Sequence, residues 1–135
     1  IGCNALLVRA GALYHDIGKM INPQYFIENQ VTGINPHDDL DYKESANIII
    51  QHVTNGIEKA KEHNLPDELI DFIRTHHGTT TVGYFYKQYI KELPLESDIE
   101  NQFKYKGPKP YSKETAVLMM ADSVEAAARS LKSPC

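Results

Sequence analysis

Residues 44–63, ESANIIIQHVTNGIEKAKEH, place Ala46, Ile49, Ile50, Val53, Ile57 and Ala60 in the three-and-four rhythm of an amphipathic helix. That stretch decides the fold, because the rest of the chain repeats its kind of pattern and nowhere adopts the period of two that marks a strand. His52 lies inside it, one turn before Gly56. A glycine within an otherwise good helix costs about 1 kcal/mol relative to alanine, so something is expected to approach the backbone there.

Working outward, residues 5–17 carry Ala5, Val8, Ala12 and His15 at near-helical spacing, and Gly18 reads as the stop, so that His15 and Asp16 close a helix. Met20 to Tyr42 reads as loop, with one short helix after Pro23 and Tyr25-Phe26-Ile27 as its apolar cluster. Pro66, Asp67 and Glu68 suit a helix start, and Leu69, Ile70, Ile73, His76 and His77 then share one stripe that ends at Gly78. A further helix is expected over about 82–93, followed by a basic, aromatic, turn-rich loop at 103–110. Ser112 can cap the last helix, whose apolar face holds Ala116, Val117, Met120, Ala121, Val124, Ala127, Ala128 and Leu131. The expected class is all-α, a compact bundle with no internal repeat.

The chain of 135 residues is the size of one domain, 41% hydrophobic and 24% charged, and its apolar runs are too short to cross a bilayer. A net charge of −4 argues against a broad basic face wrapping DNA or RNA. Cys3 and Cys135 stand at opposite ends with no C-x-x-C spacing, which points away from a zinc finger or disulfide framework and toward a reducing setting. The opening on Ile1, without a charged leader and apolar region, reads as a stretch of a longer protein.

The polar residues carry the chemistry. Alone, His15-Asp16 reads more readily as a capping aspartate beside a surface histidine. His76 and His77 are harder to dismiss, because two adjacent imidazoles on an apolar stripe need partners for their nitrogens. Asp122, flanked one turn away by Leu118 and Ala126, needs either a cation or a salt bridge, for which Arg129 is the candidate. Four histidines and two aspartates from four helices form a mixed nitrogen and oxygen set suited to iron, manganese or zinc. Six ligands exceed the needs of one tetrahedral ion, and a two-metal centre suits phosphoryl chemistry.

In their order, His15-Asp16-Ile17-Gly18-Lys19, His52, His76-His77 and Asp122 resemble the motif of HD-domain phosphohydrolases. Within that superfamily the chain is most similar to the cytoplasmic domain of the bacterial seven-transmembrane HD family, which hydrolyses cyclic di-AMP to linear pApA. The similarity runs through Phe26-Ile27-Glu28-Asn29-Gln30, Asn35-Pro36-His37-Asp38, His76-His77-Gly78-Thr79-Thr80, Gly107-Pro108-Lys109-Pro110 and Ala121-Asp122-Ser123-Val124-Glu125-Ala126-Ala127.

The resemblance implies an HD domain over residues 1–135 with two divalent metal ions, iron or manganese. Asp16 is the carboxylate shared between them, with His15 and Asp122 on the first ion and His52, His76 and His77 on the second. The family has a further histidine upstream of His15, which residues 1–14 lack, so the bundle is expected to be incomplete at its N-terminus and the first site short of a ligand. Asp16 and Lys19 are the expected catalytic residues. Lys19 is also expected to meet a substrate phosphate, while Thr79, Thr80, Tyr105, Lys106 and Lys109 are expected to contact base or phosphate. His37 matches no ligand and is expected at the surface or behind the ligands, with contact to substrate also open. The implied partner is a cyclic dinucleotide, with no nucleic-acid polymer and no membrane insertion by these residues; a homodimer is compatible. The implied location is the cytoplasmic side of an integral inner-membrane protein.

Two rivals stay open. Cyclic di-GMP, a deoxynucleotide or a guanosine alarmone could be the substrate, although Gly83-Tyr84 is followed by Phe85 and not by the proline usual in the cyclic di-GMP branch. A domain that binds nucleotide without turnover is the non-enzymatic reading.

Overall fold

A computed structural model describes residues 2–30, 33–94 and 97–131; Cys135 lies outside them. Among the described residues six α-helices follow one another: α1 (Ala5–Tyr14), α2 (Tyr42–Glu62), α3 (Asp67–Thr75), α4 (Gly83–Glu92), α5 (Ile99–Gln102) and α6 (Lys113–Arg129). Single 3-10 turns at Ile17–Ile21, Pro23–Tyr25, Ile27–Asn29 and Pro36–Asp39 fill the segment between α1 and α2. The only pairing of extended backbone among the described residues is an isolated bridge between Thr81 and Lys104. The all-α expectation holds, and none of the described helices is long and apolar enough to cross a membrane.

The helix starts follow from their caps. Asp41 and Glu44 close a capping box that begins α2, and Ser112 with Thr115 does the same for α6, as the serine led one to expect. Asn4 caps α1 through Leu7 N, and its own N–H donates to Glu114 Oε1 at 2.8 Å. That bond pins the start of α1 to the start of α6, so the two helices lie side by side and their later residues can face one another.

α2 is the spine. At its far end Ala60 packs with Ile70 and Ile73 of α3, while near its start Ala46 packs with Tyr89, Ile99 and Phe103. His52 falls between these two apolar clusters, 1% exposed. The turn after α1 seats against the same stretch: a Cβ on Gly18 would lie 1.8 Å from the His52 carbonyl oxygen and 2.5 Å from Gly56 N. The two glycines therefore let two backbones touch, which is the close approach that Gly56 signalled. This contact also explains why α1 stops at Tyr14 and not at residue 17. The chain tightens into a 3-10 turn at Ile17 to bring Gly18 onto α2, carrying Asp16 and Lys19 with it.

Two expectations need correction. The linker after α4 holds a short helix, α5, that periodicity could not register in four residues. The apolar face of α6 is not buried along its length: Leu118 is 5% exposed, but Met120, Val124 and Leu131 are 59%, 68% and 59% exposed. From Met120 to Arg129 the helix is mostly exposed, with Asp122 and Ala128 half-buried.

Candidate metal centre

Two helix ends and two helix interiors deliver the polar residues to one place. His15 caps α1 and Asp16 follows it; His52 projects from the middle of α2; His76 caps α3 and His77 follows; Asp122 comes from α6.

Three imidazoles are held by the same device. His15, His52 and His76 each donate Nδ1–H to the carbonyl three residues back, Ala12 at 2.9 Å, Ile49 at 2.5 Å and Ile73 at 2.8 Å. Each bond fixes the ring and aims Nε2 inward, the arrangement that backbone carbonyls give to metal-binding histidines. The Nε2 atoms of His52 and His76 lie 3.1 Å apart. Two acceptors at that distance repel unless a positive charge sits with them.

Asp16 faces the same point. Its Oδ1 is 3.4 Å from His52 Nε2 and 3.5 Å from His76 Nε2, yet it is buried and makes no hydrogen bond. Its Oδ2 is 3.3 Å from His15 Nε2, which is 3.6 Å from Asp122 Oδ1 and is likewise buried without a hydrogen bond. His77 Nδ1 lies 4.0 Å from Asp122 Oδ2. The ligand atoms fall into two groups, Asp16 with His52, His76 and His77, and His15 with Asp16 and Asp122, each group lying within 4.8 Å of itself. Donors sharing an ion at bond lengths near 2.1 Å stand about 3–3.5 Å apart. The orphaned buried atoms, the spacing and the nitrogen and oxygen donors all fit divalent cations, with Asp16 common to both groups.

The electrostatics agree. Burial would raise the Asp16 pKa, but the facing imidazoles of His15, His52 and His76 outweigh it and hold the carboxyl well below the usual range. Burial, then the neighbouring His76 and His52, push His77 down to about 2, and burial also lowers His76. His15 is the exception: burial alone would lower it, but the Asp122 and Asp16 carboxylates raise it to about 10.

Lys19 Nζ lies 2.8 Å from Asp16 Oδ2 and 2.5 Å from Glu28 Oε1, with the Phe26 ring 5.2 Å away. Tyr105 is 8% exposed and stacks on His77, centroids 4.2 Å apart at 18°. It sits in the loop buried against the His77 imidazole. Thr79, Thr80, Lys106 and Lys109 are exposed on the neighbouring loops. Thr80 Oγ1 donates to the His77 carbonyl at 2.7 Å, and Lys106 Nζ reaches Asn101 O at 3.5 Å.

Some partners escaped the sequence reading. Glu28 pairs with Lys19 and, at 3.5 Å, with Arg129, which also binds Glu125. Arg129 is therefore not the partner of Asp122, whose side chain is 23% exposed and faces His15. Phe26 meets His52 edge-on at 5.6 Å. His37 is buried, donating Nε2–H to the Tyr25 carbonyl at 2.9 Å, so it belongs to the interior and not the surface. The apolar cluster Tyr25-Phe26-Ile27 was the available signal for this packing.

The family model for the HD domain matches residues 1–127. The chain is 49% identical over 135 residues to a protein of Listeria monocytogenes named cyclic-di-AMP phosphodiesterase PgpH, covering 99% of this chain and 18% of that protein. Its namesake in Bacillus subtilis is 48% identical over 134 residues, with 99% and 19% covered. The chain thus spans about a fifth of the length of these relatives. Among solved structures, the HD domain of L. monocytogenes phosphodiesterase PgpH superposes with a TM-score of 0.89 at 48% identity, covering 99% of this chain and 62% of that one. The same domain in complex with cyclic-di-AMP gives 0.90 at 47% identity, with the same coverage.

Proposed function

The chain belongs to the HD domain family, and from that premise we propose that residues 1–135 form one metal-dependent phosphodiesterase domain hydrolysing cyclic di-AMP to linear pApA. One observation carries the reading: the Asp16 carboxylate stands between two sets of imidazole and carboxylate donors with its buried Oδ1 unpaired. The choice of substrate is supported by relatives that are named for cyclic-di-AMP hydrolysis and by a solved relative that holds that molecule.

In this reading His15, Asp16 and Asp122 hold one divalent ion and Asp16, His52, His76 and His77 a second, with iron or manganese suited to the donors. When bound, such ions supply Lewis acidity toward a phosphodiester and its water nucleophile. The carbonyl bonds to three Nδ1–H groups fix the imidazole orientations beforehand, so little reorganisation is left for the reaction. Lys19, held between Asp16 and Glu28, places an ammonium where a substrate phosphate approaches the cluster. Thr79, Thr80, Lys106 and Lys109 line the approach for base and phosphate, and Tyr105 acts by positioning His77. The domain works on the cytoplasmic side of an integral inner-membrane protein, on a cyclic dinucleotide and not on a nucleic-acid polymer.

The test is an assay of the protein with cyclic di-AMP and cyclic di-GMP, separating products by chromatography. Release of pApA that disappears in Asp16→Ala supports the reading. Tight binding of a dinucleotide without cleavage would instead make the domain a nucleotide sensor.

A further inference from the structure

A cavity of about 660 Å3 lies apart from the His15, Asp16, His52, His76, His77 and Asp122 cluster. It opens where the turn Pro36–Asp39 and the start of α2 face α4, and its size falls in the range of about 300–1,000 Å3 typical of small-molecule sites. Four aromatic rings line it: Tyr42, Tyr84, Phe85 and Tyr89. Tyr89 belongs to the buried cluster with Ala46, Ile99 and Phe103, against which Tyr42 and Phe85 pack, so this wall is rigid. Tyr84 is 67% exposed and meets Phe85 edge-on at 5.2 Å, forming the outer rim. The buried His37 ring backs Phe85 at 4.8 Å, its position set by its bond to Tyr25.

The charges in the lining are unequal. Three carboxylates, Asp38, Asp41 and Glu92, face a single ammonium, Lys43, which lies 5.2 Å over the Tyr89 ring. A phosphate is disfavoured there, whereas a flat ring carrying N–H donors would find rings to stack on and oxygens to accept from it. The site is also remote from the proposed chemistry. Tyr42 and His52 are ten residues apart on α2, about 15 Å along the axis, and the lining shares no residue with the metal-ligand groups.

We propose that this cavity is a second ligand site, separate from the metal centre, for a planar aromatic amine without phosphate, such as a nucleobase or an aryl amidine. The inference stands whether or not the phosphodiesterase reading does.

Calorimetric titration of the protein with adenosine, adenosine 5′-monophosphate and benzamidine tests it. Adenosine, benzamidine or both should saturate one site, and each one that binds should do so at least fivefold more tightly than the monophosphate. Saturation by adenosine assigns a neutral nucleobase, and by benzamidine an organic cation. Tyr84→Ala, at a mostly exposed ring that the fold does not need, should weaken that binding at least fivefold. Gln88→Trp, which fills the cavity, should abolish it, while Asp16→Ala should leave it within twofold. The proposal is overturned if neither probe saturates, if the monophosphate binds most tightly, or if Asp16→Ala removes binding that Tyr84→Ala spares.

Discussion

The Nε2 atoms of His52 and His76 face each other across 3.1 Å while both Nδ1–H groups are bonded to backbone carbonyls. Neither ring, while neutral, can turn a donor toward the other without giving up its carbonyl. The pair is therefore built to receive a positive charge, and Asp16 Oδ1 completes the invitation from 3.4 and 3.5 Å.

That arrangement depends on the glycine contact beneath it. Gly18→Ala places a methyl carbon 1.8 Å from the His52 carbonyl oxygen, so the turn must lift away from α2. Overpacking of this kind costs about 1–3 kcal/mol. Chemical denaturation of the variant should give a loss in that range, with metal content falling as well, because Asp16 rides on the displaced turn.

The two halves of the site should respond differently to pH. His77, at about 2, and the lowered His76 and Asp16 are already in their ligand forms at neutral pH, so these three donors should add little pH dependence to metal uptake between pH 7 and 9. His15, raised to about 10 by Asp122 and Asp16 against the effect of burial, must lose a proton to bind a metal. Affinity on that side should rise with pH until about 10. Calorimetry in buffers of differing ionisation enthalpy should find close to one proton released at pH 7. The linkage has the opposite sign for the metal-free fold. A folded pKa raised above 6.5 stabilises fully below 6.5, and that contribution is lost as pH rises through about 10.

Tyr105 supports His77 by stacking at 4.2 Å, with no part for its hydroxyl in that contact. Tyr105→Phe should keep near-native metal affinity, whereas Tyr105→Ala should lower it by about tenfold, the scale expected when a group that orients a metal-binding imidazole is removed. Equilibrium dialysis against manganese distinguishes the two outcomes.

Much of this was legible in the residues. The rhythm of Ala46 through Ala60 and the serine at 112 located α2 and α6, and the six donors fell together in the order His15 to Asp122. Other features depend on what lies opposite, which no periodicity reports. Val124 and Leu131 belong to an apolar stripe, yet nothing among the described residues covers them. Glu28 and Phe26 sit in a loop whose docking onto Lys19 and His52 is a matter of tertiary packing. Tyr105 resembles a loop aromatic until the fold places His77 against it. His37 has no helical neighbours in sequence to betray its burial.

The central claim is that separated imidazoles and carboxylates share cations, and metal content measures it most directly. Elemental analysis of the purified protein beside Asp16→Ala and His76→Ala should find divalent metal in the parent. It should find metal sharply reduced in His76→Ala and nearly absent in Asp16→Ala, whose carboxylate serves both groups. Full metal content in both variants would contradict the account.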